Sequence, residues 1–232
     1  MAGSYVISFI PNLEAPTMRH PAKFSKPILE ILEELAVEGL VLDPFAGTGR
    51  IHRLASDSRF TVGVELEPEW AELDHRTLVG NALHLPFPDD SFDAIITSPV
   101  YGNRMSDHHN AKDDSVRNTY KHTLGSDLHP DNSGQLHWGP KYREFHLRAW
   151  SEASRVLKPY GQFILNISNF IKKGEEQEVS EWHLQQLIET FGYTLQDSRD
   201  ITTERNRYGA NRDLRVAVEH VFDLRASGSN VH

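Results

Sequence analysis

The chain has 232 residues, of which 38% are hydrophobic and 25% charged; that is enough for one sizeable α/β core and short for two full domains. It has no cysteine, which excludes disulfides and thiolate metal sites, and no apolar run near the roughly 20 residues that span a bilayer; its first residues, "MAGSYVISFIPNLEAP", lack a basic leader, so a cytoplasmic protein with no membrane partner is expected. The formal net charge of -9, from 24 basic and 33 acidic residues, argues against a dedicated nucleic-acid coat but leaves room for an enzyme with a local basic face.

A β-like run from Tyr5 to Ile10, closed by Pro11-Asn12, reads as an edge strand or a draped arm. Ser25 and Pro27 then suit a helix start, Ile28, Leu29, Ile31, Leu32 and Leu35 repeat at helical spacing, and Gly39 is a natural stop. A short strand, Leu40-Val41-Leu42, runs into Asp43-Pro44-Phe45-Ala46-Gly47-Thr48-Gly49-Arg50, with a helix expected from Ile51 to Ser56. Glycines at the end of a strand and the start of a helix let the backbone approach a nucleotide-type ligand. The strand Thr61 to Leu66 ends in Glu65, a carboxylate placed to accept both hydroxyls of a ribose. A helix from Pro68 to Leu73 follows, then a third short strand and its loop over Leu78 to Phe87, where Asn81 is placed to bond an adenine amine and Ala82 and Leu83 to pack on the ring.

The next stretch, Ile95-Ile96-Thr97-Ser98-Pro99-Val100-Tyr101-Gly102-Asn103, is an apolar strand that ends abruptly in a polar, aromatic-bearing turn. Buried parallel strands present functional groups at their carboxyl ends, so two such loops predict two ligands meeting on one edge of a sheet. Residues 102–141 are polar and barely periodic, the composition of a functional or flexible insertion. Asn103, Arg104, Lys112 and Tyr120 are its expected substrate contacts, with Arg117, Lys121 and Trp138 nearby, because cations interleaved with aromatics suit phosphate contact and base stacking. His108, His109, His122, His129 and His137 match no metal-ligand spacing and read as solvated. A helix from Tyr142 to Leu157, a strand from Phe163 to Ile167, a helix from Trp182 to Phe191 and two closing strands joined by the basic "ERNRYGANRD" complete the chain, with a disordered tail after Arg225. With no repeat or linker, residues 1–232 form a single domain.

Strands alternating with helices, then a terminal β-hairpin, imply a three-layer α/β domain. With these motifs the chain resembles the class I S-adenosylmethionine-dependent methyltransferases, a Rossmann-like fold with a mostly parallel sheet and a C-terminal antiparallel hairpin. More narrowly it resembles the amino-methyltransferases of DNA, which modify cytosine N4 or adenine N6. The "DPFxGxGT" donor loop of that family is matched by Asp43, Pro44, Phe45, Gly47 and Gly49, with Arg50 departing. The segment His20-Pro21-Ala22-Lys23-Phe24 resembles the motif that precedes it. The resemblance implies S-adenosylmethionine as cofactor, held by Phe24, Asp43, Phe45, Ala46, Gly47, Gly49, Glu65, Leu66, Asn81 and Ala82. The catalytic "(D/N/S)PP(Y/F/W)" is matched by Ser98, Pro99 and Tyr101, with Val100 in place of the second proline, and Ser98 favours cytosine over adenine. Ser98 and the Pro99 carbonyl would accept hydrogen bonds from the reacting amine, and Tyr101 would stack on the flipped base. The implied partner is nucleic acid, DNA first. An RNA base, a protein amide, or a catalytically silent donor-binding fold are the alternatives; the target sequence and oligomeric state are not legible.

Overall fold

The computed structural model describes residues 24–103, 120–202 and 216–228. The expected strand Tyr5–Ile10 and the last four residues of the expected tail lie outside them.

In chain order the elements are α1 (Lys26–Leu35), β1 (Gly39–Asp43), a 3-10 helix (Arg50–Leu54), β2 (Arg59–Glu65), α2 (Pro68–Ala71), β3 (Thr77–Val79), β4 (Phe92–Thr97), α3 (Tyr120–Leu124), a second 3-10 helix (Ser133–Gln135), α4 (Pro140–Val156), β5 (Leu157–Ile167), β6 (Phe170–Lys172), β7 (Glu175–Gln177), α5 (Val179–Glu189), β8 (Thr194–Thr202) and β9 (Val218–Arg225). Seven strands form one sheet in the order β3-β2-β1-β4-β5-β9-β8. The first five are parallel, β9 runs antiparallel to β5, and β8 pairs antiparallel with β9. This is the expected Rossmann-like arrangement with its terminal antiparallel pair.

Successive strand residues point to opposite faces, and here both faces are apolar. Leu42, Val64, Ile95, Phe163, Leu165 and Phe222 pack with Ala149, Trp150, Ala153 and Leu187 of α4 and α5. Their neighbours Val41, Ala94, Ile96, Ile164 and Val221 pack on the other face with Ile28 and Leu32 of α1 and Ile51 and Leu54 of the first 3-10 helix. Two cores on one sheet make three layers.

Several expected elements change at their edges. Ser25 holds the N-cap position of α1, but its hydroxyl makes no cap hydrogen bond; Pro27 in the first turn sets the start. The helix expected over 51–56 is a 3-10 turn, tightened because His52 is pulled down between Thr61 and Thr77 by hydrogen bonds of 2.9 Å on both ring nitrogens. The third strand is only Thr77–Val79, and Asn81 and His84 close the following loop on each other. The insertion is not barely structured where described: it contributes α3, a 3-10 turn and the first residues of α4. A β6–β7 hairpin was not anticipated. It turns at Lys173 and Gly174, both with positive φ.

Among the described residues no helix is long and apolar enough to cross a membrane.

Candidate active site

The carboxyl ends of β1, β2 and β4 open onto one cleft enclosing about 810 Å³ of space, part of it continuous with solvent. Phe24, Asp43, Phe45, Ala46, Gly47, Glu65, Leu66, Asn81 and Ala82 line it, so the expected donor residues come together with one exception. Gly49 does not reach the cleft. It takes φ 73°, and a Cβ there would lie 2.9 Å from the His52 ring. Its contribution is to turn the loop into the 3-10 helix, not to touch a ligand. Arg50, the departure from the motif, also lines the cleft and donates to the Phe24 carbonyl at 3.2 Å, tying that residue across the loop.

Two buried carboxylates stand in this cleft. Asp43 accepts the Thr97 hydroxyl at 2.8 Å and the Phe45 amide at 3.0 Å through the same oxygen. Glu65 accepts the Gly47 amide at 2.8 Å with one oxygen and the Glu67 amide at 3.0 Å with the other. Burial outweighs these bonds and pushes both groups up to about 7. Raised values of this kind give stability that is complete below the ordinary values of 3.8 and 4.5 and is lost as pH rises through about 7. A cationic ligand favours the ionised pair and so has the opposite pH dependence. His52 and His146, pushed down to about 4 by burial, stay neutral in this window. The expected outcome is a ligand-free protein that melts higher at pH 6 than at pH 8 and binds S-adenosylmethionine more weakly at pH 6. Calorimetry in buffers of different ionisation enthalpy should detect protons released on binding near neutrality. A pH-independent affinity with no proton release would show that neither carboxylate faces the ligand.

Ser98 and Val100 line the same cleft, while Pro99, Tyr101 and Asn103 do not. Tyr101 turns to another side of the loop, its hydroxyl 3.4 Å from Ser98 Oγ and donating at 3.4 Å to Glu219 of β9. Asn166 at the end of β5 also donates to that carboxylate, at 3.3 Å. Glu219 was not anticipated; nothing in the sequence says that the start of the last strand meets the β4 turn. The loop is fixed on two more sides: Tyr142 Oη donates to the Val100 carbonyl at 2.6 Å, and the Trp138 amide donates to the Gly102 carbonyl at 3.1 Å. Asn103 Oδ1 is buried without a hydrogen-bond partner among the described residues.

Tyr120, expected among the nucleic-acid contacts, is instead buried on the donor side. It packs edge-on against Trp70, with ring centroids 5.6 Å apart, and lines the cleft together with Asp131, Asn132 and Ser133. Its first helical turn needs an apolar cover, and Trp70 and Leu128 supply one. The buried carboxylate of Glu67 holds this part of the insertion, accepting the His129 amide at 2.9 Å and Asn132 Nδ2 at 2.6 Å. Asn132 in turn caps the second 3-10 helix through Gly134. Neither this turn nor its docking on Glu67 was anticipated. Arg104, Lys112 and Arg117, the segment His20-Pro21-Ala22-Lys23, His108 and His109, and the basic joint of the last two strands lie outside the described residues. Among those that are described, no group of three or more His, Asp or Glu side chains is arranged to hold a metal ion.

Residues 42–117 match a methyltransferase domain. The fold is similar to that of an S-adenosylmethionine-dependent methyltransferase from Methanosarcina mazei, at 16% identity over 86% of this chain and 98% of that one, with a TM-score of 0.54. It is also similar to the YcgJ protein of Bacillus subtilis, at 17% identity over 88% and 98% of the two chains, with a TM-score of 0.51. A third is the 1,6-didemethyltoxoflavin N1-methyltransferase of Burkholderia thailandensis, bound to 1,6-didemethyltoxoflavin and S-adenosylhomocysteine, at 18% identity over 87% and 77% of the chains, with a TM-score of 0.51. At such identities the likeness is one of fold, and none of the three is described as acting on DNA. No curated protein matches the chain. The fold is the one those S-adenosylmethionine-dependent methyltransferases share, and the match to a methyltransferase domain falls on its donor-loop half, residues 42–117. The cleft fits that cofactor: Phe45, Leu66 and Ala82 give it apolar walls, Asp43 and Glu65 give it acceptors for hydroxyls and positive charge, and Gly47 lets the backbone come close.

Proposed function

We propose that this chain methylates the exocyclic amine of a nucleobase in DNA, with cytosine N4 favoured over adenine N6. The observation that carries the reading is Ser98, which stands at the end of β4 and on the rim of the donor cleft, followed by Pro99 and Tyr101. When bound, S-adenosylmethionine supplies an electrophilic methyl on sulfur. An amine conjugated to its ring is a poor nucleophile. Hydrogen bonds accepted from it by Ser98 Oγ and the Pro99 carbonyl pull it toward tetrahedral geometry and hold it in line, which is where most of the acceleration arises. Tyr101 provides a stacking surface for a base that has left the duplex. The amine proton leaves after transfer, so no strong base is required at this loop.

The rival acceptors are an RNA base and a protein amide, and the net charge of -9 favours the second, which has no phosphate backbone to neutralise. Labelled S-adenosylmethionine offered with duplex DNA, RNA and protein in parallel, followed by digestion and mass identification of the modified unit, separates them. Label in a DNA base supports the reading, and label confined to RNA or protein replaces the acceptor. Ser98→Ala should lower the transfer rate by about a hundredfold, the usual cost of one preorganised hydrogen-bonding group, with donor affinity little changed.

A further inference from the structure

Beneath the Ser98–Tyr101 turn runs a buried series of hydrogen bonds that the proposed chemistry does not use. Trp150 Nε1 donates to His183 Nδ1 at 3.0 Å. An indole only donates, so His183 carries its proton on Nε2. That nitrogen lies 2.9 Å from Tyr142 Oη and therefore donates to it. The Tyr142 hydroxyl then has its own hydrogen for the Val100 carbonyl, at 2.6 Å. One donor-only group thus fixes every direction in the series. All three side chains are fully buried. Burial, with His146 beside it, holds His183 well below the usual imidazole range, and burial holds Tyr142 well above the usual phenol range, so the series keeps one protonation state. Tyr142 and Trp150 come from one face of α4, and His183 comes from α5, so the loop is referred to two packed helices.

Val100 stands where the resembled motif has its second proline, whose ring would limit the backbone covalently. We propose that Tyr142, His183 and Trp150 are positioning residues that hold the Val100 carbonyl, replace the constraint of that proline, and thereby fix where Ser98 and Tyr101 meet the acceptor. The inference rests on reading 98–101 as the acceptor loop. It implies that the hydroxyl matters more than the ring that carries it, and that proline at position 100 compensates for its loss.

The test is Tyr142→Phe, alone and combined with Val100→Pro. Tyr142→Phe should lower kcat for labelled methyl transfer into duplex DNA by about tenfold, as expected for a lost hydrogen bond that lets a reacting group drift. The Kd for S-adenosylmethionine by calorimetry should not move. Deuterium uptake by the peptide spanning residues 98–103 should accelerate by a similar factor, and Val100→Pro should restore both the rate and the slow uptake. If Tyr142→Phe does not fold, His183→Asn carries the same comparison. Uptake unchanged in the single variant, or no recovery in the double variant, overturns the proposal. Deuterium uptake needs no acceptor, so if the wild-type protein methylates no DNA, the assignment of the acceptor fails while uptake still decides the positioning role.

Discussion

Glu65→Ala should abolish donor binding, reducing affinity by at least about a hundredfold and stability by roughly 2–4 kcal/mol, since two buried amides lose their acceptor at once. Glu65 is 9% exposed and serves Gly47 with one oxygen and Glu67 with the other. The glycine loop and the β2 turn are therefore joined through one carboxylate. Glu65→Gln is the sharper test. An amide has a single acceptor oxygen, so it serves either Gly47 or Glu67 and meets the other with N–H against N–H. Glutamine should lie much nearer alanine than wild type in both calorimetric affinity and melting temperature. A glutamine variant that binds S-adenosylmethionine normally would mean that the carboxylate supports neither the loop nor the ligand.

Gly102→Val should leave donor binding within about threefold of wild type while lowering methyl transfer at least about a hundredfold, the scale of a reacting group displaced by an ångström. The reason is steric. Gly102 has φ 68°, a conformation that β-branched residues strongly resist. A Cβ there would also sit 2.9 Å from the Trp138 amide nitrogen and 3.1 Å from its Cα, backbone atoms that cannot rotate away. The same Trp138 amide donates to the Gly102 carbonyl, so relieving the clash breaks the bond. The turn after Tyr101 must then move as a piece. Gly102 does not line the donor cleft, which is why the two measurements should separate. Single-turnover transfer and calorimetry on the same preparation decide it, and full transfer by the valine variant would show that the turn's position is unimportant.

The donor half was legible because its signals are local. A strand running into Asp43-Pro44-Phe45 and two glycines, then a second strand ending in Glu65 eighteen residues after Gly47, places a ligand at a sheet edge by chain geometry alone. Ser98 was legible in the same way, as the polar end of an apolar strand. What surrounds these residues was not. Tyr142 and His183 are ordinary members of helical patterns, and nothing in a helix pattern says which hydroxyl reaches a carbonyl forty-two residues away. Tyr120 reads as a polar-loop aromatic until Trp70 is placed beside it. Asn132 belongs to a polar stretch with no pattern to place it, and the buried acid that receives it comes from another part of the chain. Composition did not show that Tyr120 and residues 131–133 of the insertion wall the cleft.

The hydrogen bond from Thr97 to Asp43 has a consequence for how the molecule is made. Asp43 ends β1, Thr97 ends β4, and the two strands are neighbours although 54 positions separate the bonded residues. Between them the chain must go out to the sheet edge through β2 and β3 and return. Closing such a long loop is slow and entropically costly compared with forming a hairpin. A nascent chain that has emerged only through β3 carries the whole glycine loop and Glu65, yet the acid at the head of that loop still lacks its hydroxyl partner. Competence to hold the methyl donor therefore arrives late in synthesis, at the step that brings the strand bearing Ser98 alongside β1.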